Sequence, residues 1–160
     1  MMAGKNRYRT AFQKVVLSVF LSLLPLHAGV SDAAIQRTIQ QYNLGVIEAA
    51  KTGKVHQLYP YAKEEVVTKS YVWVMSWQEN NLYMQAKIDS FAFKKIEVDK
   101  KHAKVTTNEV WTYRYYDAKN KKTAWPETRI TYETEYLLFL HNRRWMIEKV
   151  TVISEKQEKL

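Results

Sequence analysis

A chain of 160 residues is long enough for one domain with its own core and too short for two ordinary ones. Its 46% hydrophobic and 26% charged residues give a globular balance, which excludes a disordered chain. With no cysteine, disulfides, thiolate metal sites, cysteine nucleophiles and a lipid-anchoring processing cysteine are all excluded.

The chain begins as a targeting segment. Lys5, Arg7, Arg9 and Lys14 make a basic start, and Val15 to Leu26 is uncharged and apolar. Small residues follow at Ala28, Gly29, Ser31 and Ala33. This order describes a secretory signal over residues 1–33, with cleavage near Ala28 or Ala33. The apolar run is shorter than the about 20 residues that a spanning helix requires. The alternative is an uncleaved anchor in the inner membrane, with the domain facing the periplasm. The formal charge of +9 falls to +6 once residues 1–33 are set aside. A moderately basic exported domain, periplasmic or extracellular, suits acidic surfaces rather than nucleic acid, against the favoured alternative of a solvated basic surface with no specific partner.

The mature domain spans residues 34–153. Ile35, Ile39, Tyr42, Val46 and Ala49 or Ala50 recur at helical spacing, which predicts an amphipathic helix over 32–52. Ser31 or Asp32 is its expected cap and Gly53 its stop. Val55 to Tyr59 is a short segment ended by Pro60. Residues 61–78 start like a helix, although Tyr71 to Trp77 is rich in strand formers. A helix would put Val67, Tyr71, Val74 and Met75 on one side and a strand Tyr71, Trp73, Met75 and Trp77; the helix-like start and the need for a lid over the sheet favour the helix.

Strands follow. Ala86 to Val98 changes apolar parity near Lys94 and Lys95, which predicts a bulge there. Val105 to Tyr116 and Ile130 to Leu140 alternate cleanly, joined by a long loop over 117–128. Arg144 to Ile153 is the last strand, reached through a turn at His141-Asn142-Arg143. Residues 154–160 read as a frayed, charged tail.

Two segments resemble the NTF2-like (SnoaL-like) superfamily. Ala50-Lys51-Thr52-Gly53-Lys54-Val55-His56-Gln57-Leu58-Tyr59 is similar to its connection between first and second helices. Tyr132 to Leu140 followed by Arg144 to Val150 is similar to its closing hairpin. The resemblance implies an α+β cone, a curved antiparallel sheet packed over N-terminal helices. It also implies an apolar pocket in many members, a homodimer in many, and either catalysis or non-catalytic binding.

Catalytic members use an Asp or His base inside the cone. In this chain the nearest candidates are Glu109, Glu133, Glu135, Tyr113, Tyr132 and His56, and among them Glu109 stands out as a carboxylate that shares the apolar parity of Val105, Trp111 and Tyr113. The competing reading pairs it with a basic neighbour or turns it to the rim. Tyr71, Trp111, Tyr113, Tyr132, Tyr136 and Trp145 are candidates to line a pocket, against the alternative that they fill the core. Lys119, Lys121, Lys122 and Trp125 are candidates for a partner or membrane surface on the loop, unless the Trp folds back on the sheet. The scattered histidines have no ligand spacing, so no metal is expected, and no phosphate loop or other cofactor motif occurs. The function expected is an exported, non-catalytic domain that binds a protein partner or a small apolar ligand. A small isomerase or dehydratase using a pocket carboxylate, and an anchored accessory domain of an envelope assembly, are the alternatives.

Overall fold

A computed structural model describes residues 27–159, and the basic start and apolar run of the expected signal lie outside them. The order is α1 (His27–Thr52), a 3-10 turn (His56–Leu58), α2 (Glu64–Gln78), β1 (Leu82–Asp99), β2 (His102–Asp117), β3 (Thr123–His141) and β4 (Arg144–Lys159). Helix α1 buries Ile35, Ile39, Tyr42, Ala49 and Ala50, the expected stripe. It starts before Asp32, so Asp32 lies inside the helix instead of capping it, and both expected cleavage points fall within its first two turns. Gly53 ends it at φ +81°, with its N–H donating to Ala49 O at 2.7 Å. Only glycine adopts that backbone without strain, which is why the stop was readable.

The ambiguous segment 61–78 is helical from Glu64. Its buried stripe is Val66, Val67 and Val74. Rotated onto that side, α2 leaves Tyr71 46% exposed on its margin, so this residue does not line a pocket as expected.

The four strands form one antiparallel sheet in sequence order. The register of β1 on β2 shifts between Phe93 and Lys95, where the parity change placed a bulge, and again between Ile88 and Ser90. The β3–β4 turn places Asn142 and Arg143 at φ 46° and 63°, the left-handed pair that a two-residue hairpin requires. Two expectations are corrected. The loop 117–128 is short: β3 begins at Thr123, and Trp125 pairs with Tyr115 in the sheet. The charged tail is strand, not frayed, since β4 stays in register with β3 from Ser154 opposite Glu133 to Lys159 opposite Thr128. Backbone pairing along a long partner strand holds residues whose side chains contribute little burial.

The helices cover one face of the sheet. Ala103, Val105, Thr107, Glu109 and Trp111 on β2 alternate toward them, as do Thr134, Tyr136 and Leu138 on β3 and Trp145 and Ile147 on β4. Ile35, Ile39, Leu58, Val66 and Val67 meet these residues in a single core. Among the described residues, no helix is long and apolar enough to cross a membrane.

Candidate functional site

Glu109 is placed by strand alternation on the inner face of the sheet, four residues along β2 from Val105 of that core, and is 2% exposed. No lysine or arginine pairs with it among the described residues, and it does not reach the rim, so both parts of the competing reading are corrected. Its charge is met by neutral donors instead. The Thr107 hydroxyl donates to Oε1 at 2.6 Å, Tyr136 OH to Oε1 at 2.7 Å, and Trp111 Nε1 to Oε2 at 2.8 Å. Asn43 Nδ2 on α1 donates to Tyr136 OH at 3.0 Å and ties the helix to the cluster. Burial, then the Glu109 charge, pushes the Tyr136 phenol far above its ordinary range. Thr107 and Trp111 flank Glu109 two residues away on the same strand face, so β2 itself supplies two of the three donors.

A carboxylate held this way is solvated by the protein's own donors. Trp111 and Tyr136 are buried against it, and Trp145 is buried at the far end of the sheet, opposite Leu140; none of the three is more than 6% exposed. The reason is α1, whose Tyr42 and Asn43 occupy the middle of the cone.

The concave face is open further along the sheet. Past the end of α2, a cleft of about 320 Å³ is lined by Tyr113, Tyr115, Trp125, Pro126, Thr128, Ile130 and Gln157. Trp77, on the last turn of α2, packs on Tyr115 at 4.8 Å and edge-on to Trp125 at 5.5 Å between ring centroids. Tyr115 and Trp125 are 4.9 Å apart, so three rings make one wall. Trp125 remains 46% exposed. Burial, with Tyr132 beside it, pushes the Tyr113 phenol well up, so both tyrosines are neutral donors at ordinary pH. The cleft thus combines flat apolar rings with hydroxyl and amide groups, a surface suited to binding and lacking an ionisable base.

Of the residues singled out in the sequence, Tyr113 and Trp125 line this mouth, and Tyr132 stands beside Tyr113. The lysines do not join them. Lys121 lies over the Tyr83 ring at 5.2 Å, and Lys119 and Lys122 sit in the turn, their N–H groups bound by Asp117 and Asn120. Sequence reasoning missed Trp77, although its helical spacing from Val66, Ser70 and Val74 placed it on the covered side. It also missed Asn43, whose neighbour Tyr42 marked the buried stripe.

On the other face of the sheet, Lys87 pairs with Asp89 at 2.8 Å and Arg129 approaches the same carboxylate at 3.5 Å. Arg114 pairs with Glu127 beside them. These charges satisfy one another and form a groove of about 400 Å³ with no free cation or anion aimed into it.

No family model and no curated protein matches the chain. Among solved structures, the intermembrane space region of the chloroplast protein ARC6 is similar, with 14% identity, a TM-score of 0.63, and coverage of 74% of this chain and 93% of that one. A protein with a cystatin-like fold from Caulobacter vibrioides aligns at 12% identity and a TM-score of 0.46, over 79% of this chain and 92% of that one. The fold is an α+β cone of the NTF2-like, cystatin-like kind. At such identities the likeness carries the fold and nothing about activity.

Proposed function

We propose that this is an exported, non-catalytic binding domain that holds a segment of a protein partner at the aromatic mouth of its cone. One observation carries the reading: the single carboxylate on the inner wall of β2 is sealed by Thr107, Trp111 and Tyr136, while the accessible concave surface is made of Tyr113, Tyr115 and Trp125. A base without access to solvent or substrate does not abstract a proton, whereas exposed rigid aromatics are what partner surfaces use. An interior apolar ligand is disfavoured, because α1 fills the cone where it would lie. Export is supported by the basic start, the apolar run and the small residues before Ala33. The ARC6 region lies in an intermembrane space, so this fold also serves in another compartment between membranes.

A photo-reactive residue at position 125 tests the reading in intact cells. It is expected to crosslink a discrete protein, whereas the same residue at exposed position 72 does not. Tyr115→Ala should abolish the crosslink, and Glu109→Gln, scored on folded protein, should leave it intact. Equal crosslinking at both positions, or loss in Glu109→Gln alone, overturns the proposal. Mass spectrometry of the exported protein should show an N-terminus near residue 29 or 34; an intact Met1 favours the anchored alternative.

A further inference from the structure

β4 is an edge strand, and its free side is covered at one end only. There the segment before α2 lies along it: Ile147 N–H donates to Tyr61 O at 2.7 Å and Lys63 N–H donates to Ile147 O at 2.9 Å. Beyond Ile147 no other described segment flanks the edge. Irregular register between Leu137 and Leu138 and between Glu133 and Thr134 disturbs β4 up to Ile153. From Ser154 to Lys159 the register is unbroken, which leaves a regular edge of six residues. Such an edge presents unpaired N–H and C=O groups to any strand that meets it.

The side chains along this edge narrow the choice of strand. The sequence is Glu155-Lys156-Gln157-Glu158-Lys159, and its charges invert about Gln157. Residues 155–158 are all exposed. Set antiparallel against a second copy with Gln157 opposite itself, Lys156 meets Glu158 of the second copy, Glu158 meets Lys156 of the second copy, and Glu155 meets position 159. Within one strand Lys156 already pairs with Glu158 at 3.2 Å on the same face. Two copies would therefore close a square of four alternating charges around the twofold axis. A slip that brings Lys156 opposite itself, or Glu158 opposite itself, sets like charges together. So does the slip that sets Glu155 against Glu158, and a parallel, in-register arrangement does so throughout. Directly opposed like charges are destabilising and opposite ones stabilising, so the register centred on Gln157, with four opposite contacts, is favoured over the slips that set Glu155 against Lys156 or Glu158 against position 159, which make two.

We infer that residues 154–159 of β4 are the contact of a twofold homodimer, paired antiparallel about Gln157 into one sheet continuous across two molecules. The contact is isologous, as a closed dimer requires. Charge on an edge normally repels other strands. Here the alternation makes the edge repulsive to most registers and attractive to its own copy. Gln157 also lines the aromatic cleft, so the pairing sets the two clefts side by side across the axis. A contact of six residues per copy is small, so the dimer is expected to be in the micromolar range and to weaken with salt.

Sedimentation of the exported, processed chain between about 1 and 500 μM tests this, with charge variants. The wild-type chain is expected to dimerise reversibly, and 0.5 M salt to weaken it. Lys156→Glu or Glu158→Lys alone should raise the dissociation constant at least about tenfold, since each change acts twice across the axis. The double variant Lys156→Glu/Glu158→Lys restores the alternation and should recover most of the affinity. Because the chain has no cysteine, register is read directly: Gln157→Cys should oxidise to a disulfide dimer, and Ser154→Cys, far from its own copy in this register, should not. A monomer at every concentration, a dimer indifferent to Lys156→Glu, a double variant no better than the singles, or equal crosslinking of the two cysteine variants overturns the inference.

Discussion

Tyr136 and Glu109 lie on neighbouring strands four residues apart in register, and the phenol reaches along the sheet to donate to the carboxylate at 2.7 Å. The same hydroxyl accepts from Asn43 at 3.0 Å, so the charge buried in the sheet is linked to α1 through one oxygen. A buried carboxylate without a cation persists because each of its neighbours is a donor.

Replacing Glu109 by Gln should therefore destabilise the fold although the shape is kept. The amide has one oxygen for three donors, and its NH2 must face one of them. A cost of about 1–3 kcal/mol is expected, read as a lower urea midpoint with an unchanged slope. Tyr136→Phe removes one donor and leaves Asn43 without its acceptor, and a cost in the same range of about 1–3 kcal/mol should follow. If the two changes together cost less than their sum, the residues act as one network.

What the sequence disclosed follows from which physical signal was local. Periodicity found α1, the three later strands and the bulge near Lys94, because burial on one face writes itself into the spacing. Glu109 stood out for the same reason, as a charge at an apolar position. Its partners did not, because Asn43 is remote in the chain and meets Tyr136 only once α1 lies across the sheet. The strand from Ser154 to Lys159 was invisible since its backbone pairing with β3 requires no apolar alternation. Trp125 was misplaced in a loop because Pro126 and the lysines around it carry turn signals, while its pairing with Tyr115 is set by the opposite strand.

Acid should weaken the outer face of the sheet through Asp89. The Lys87 ammonium, then the Thr112 hydroxyl, holds this carboxyl down to about 2. A depressed carboxyl stabilises the folded state fully above its unfolded value of about 3.9. That contribution is lost as pH falls through about 2. Asp89→Asn should thus be less stable than wild type at pH 5 and nearly equal to it at pH 2. Urea unfolding of both chains at the two pH values measures the difference, and a gap that does not shrink in acid assigns the stabilisation elsewhere.

Gly45 within α1 and Gly53 just after it should respond to alanine for different reasons. At Gly53 the φ of +81° is strained for any side chain, and a Cβ would lie 2.2 Å from Gln78 Nε2, the end of a flexible side chain. Backbone strain then dominates, and about 1 kcal/mol should be lost. At Gly45 the backbone is helical and alanine would favour it, but the Cβ would lie 2.6 Å from Leu58 Cδ2 in the core. Overpacking there should cost about 1–3 kcal/mol in spite of the better helix propensity. Thermal melts of both variants check the order.

Trp77 offers a substitution expected to leave stability unchanged or improve it. Its Nε1 is buried with no hydrogen-bond partner, while its ring packs on Tyr115 and Trp125. Phenylalanine keeps an aromatic face against both rings and removes the unsatisfied donor, whose desolvation costs about 1–3 kcal/mol. The gain is offset by the smaller ring, which forfeits some of the packing, so Trp77→Phe should lie near or above the wild-type melting temperature. Trp77→Ala removes the wall of the cleft as well and should cost at least about 2 kcal/mol. A clear loss in Trp77→Phe would mean that Nε1 is paired in solution, most simply through a water or an acceptor on whatever occupies the cleft.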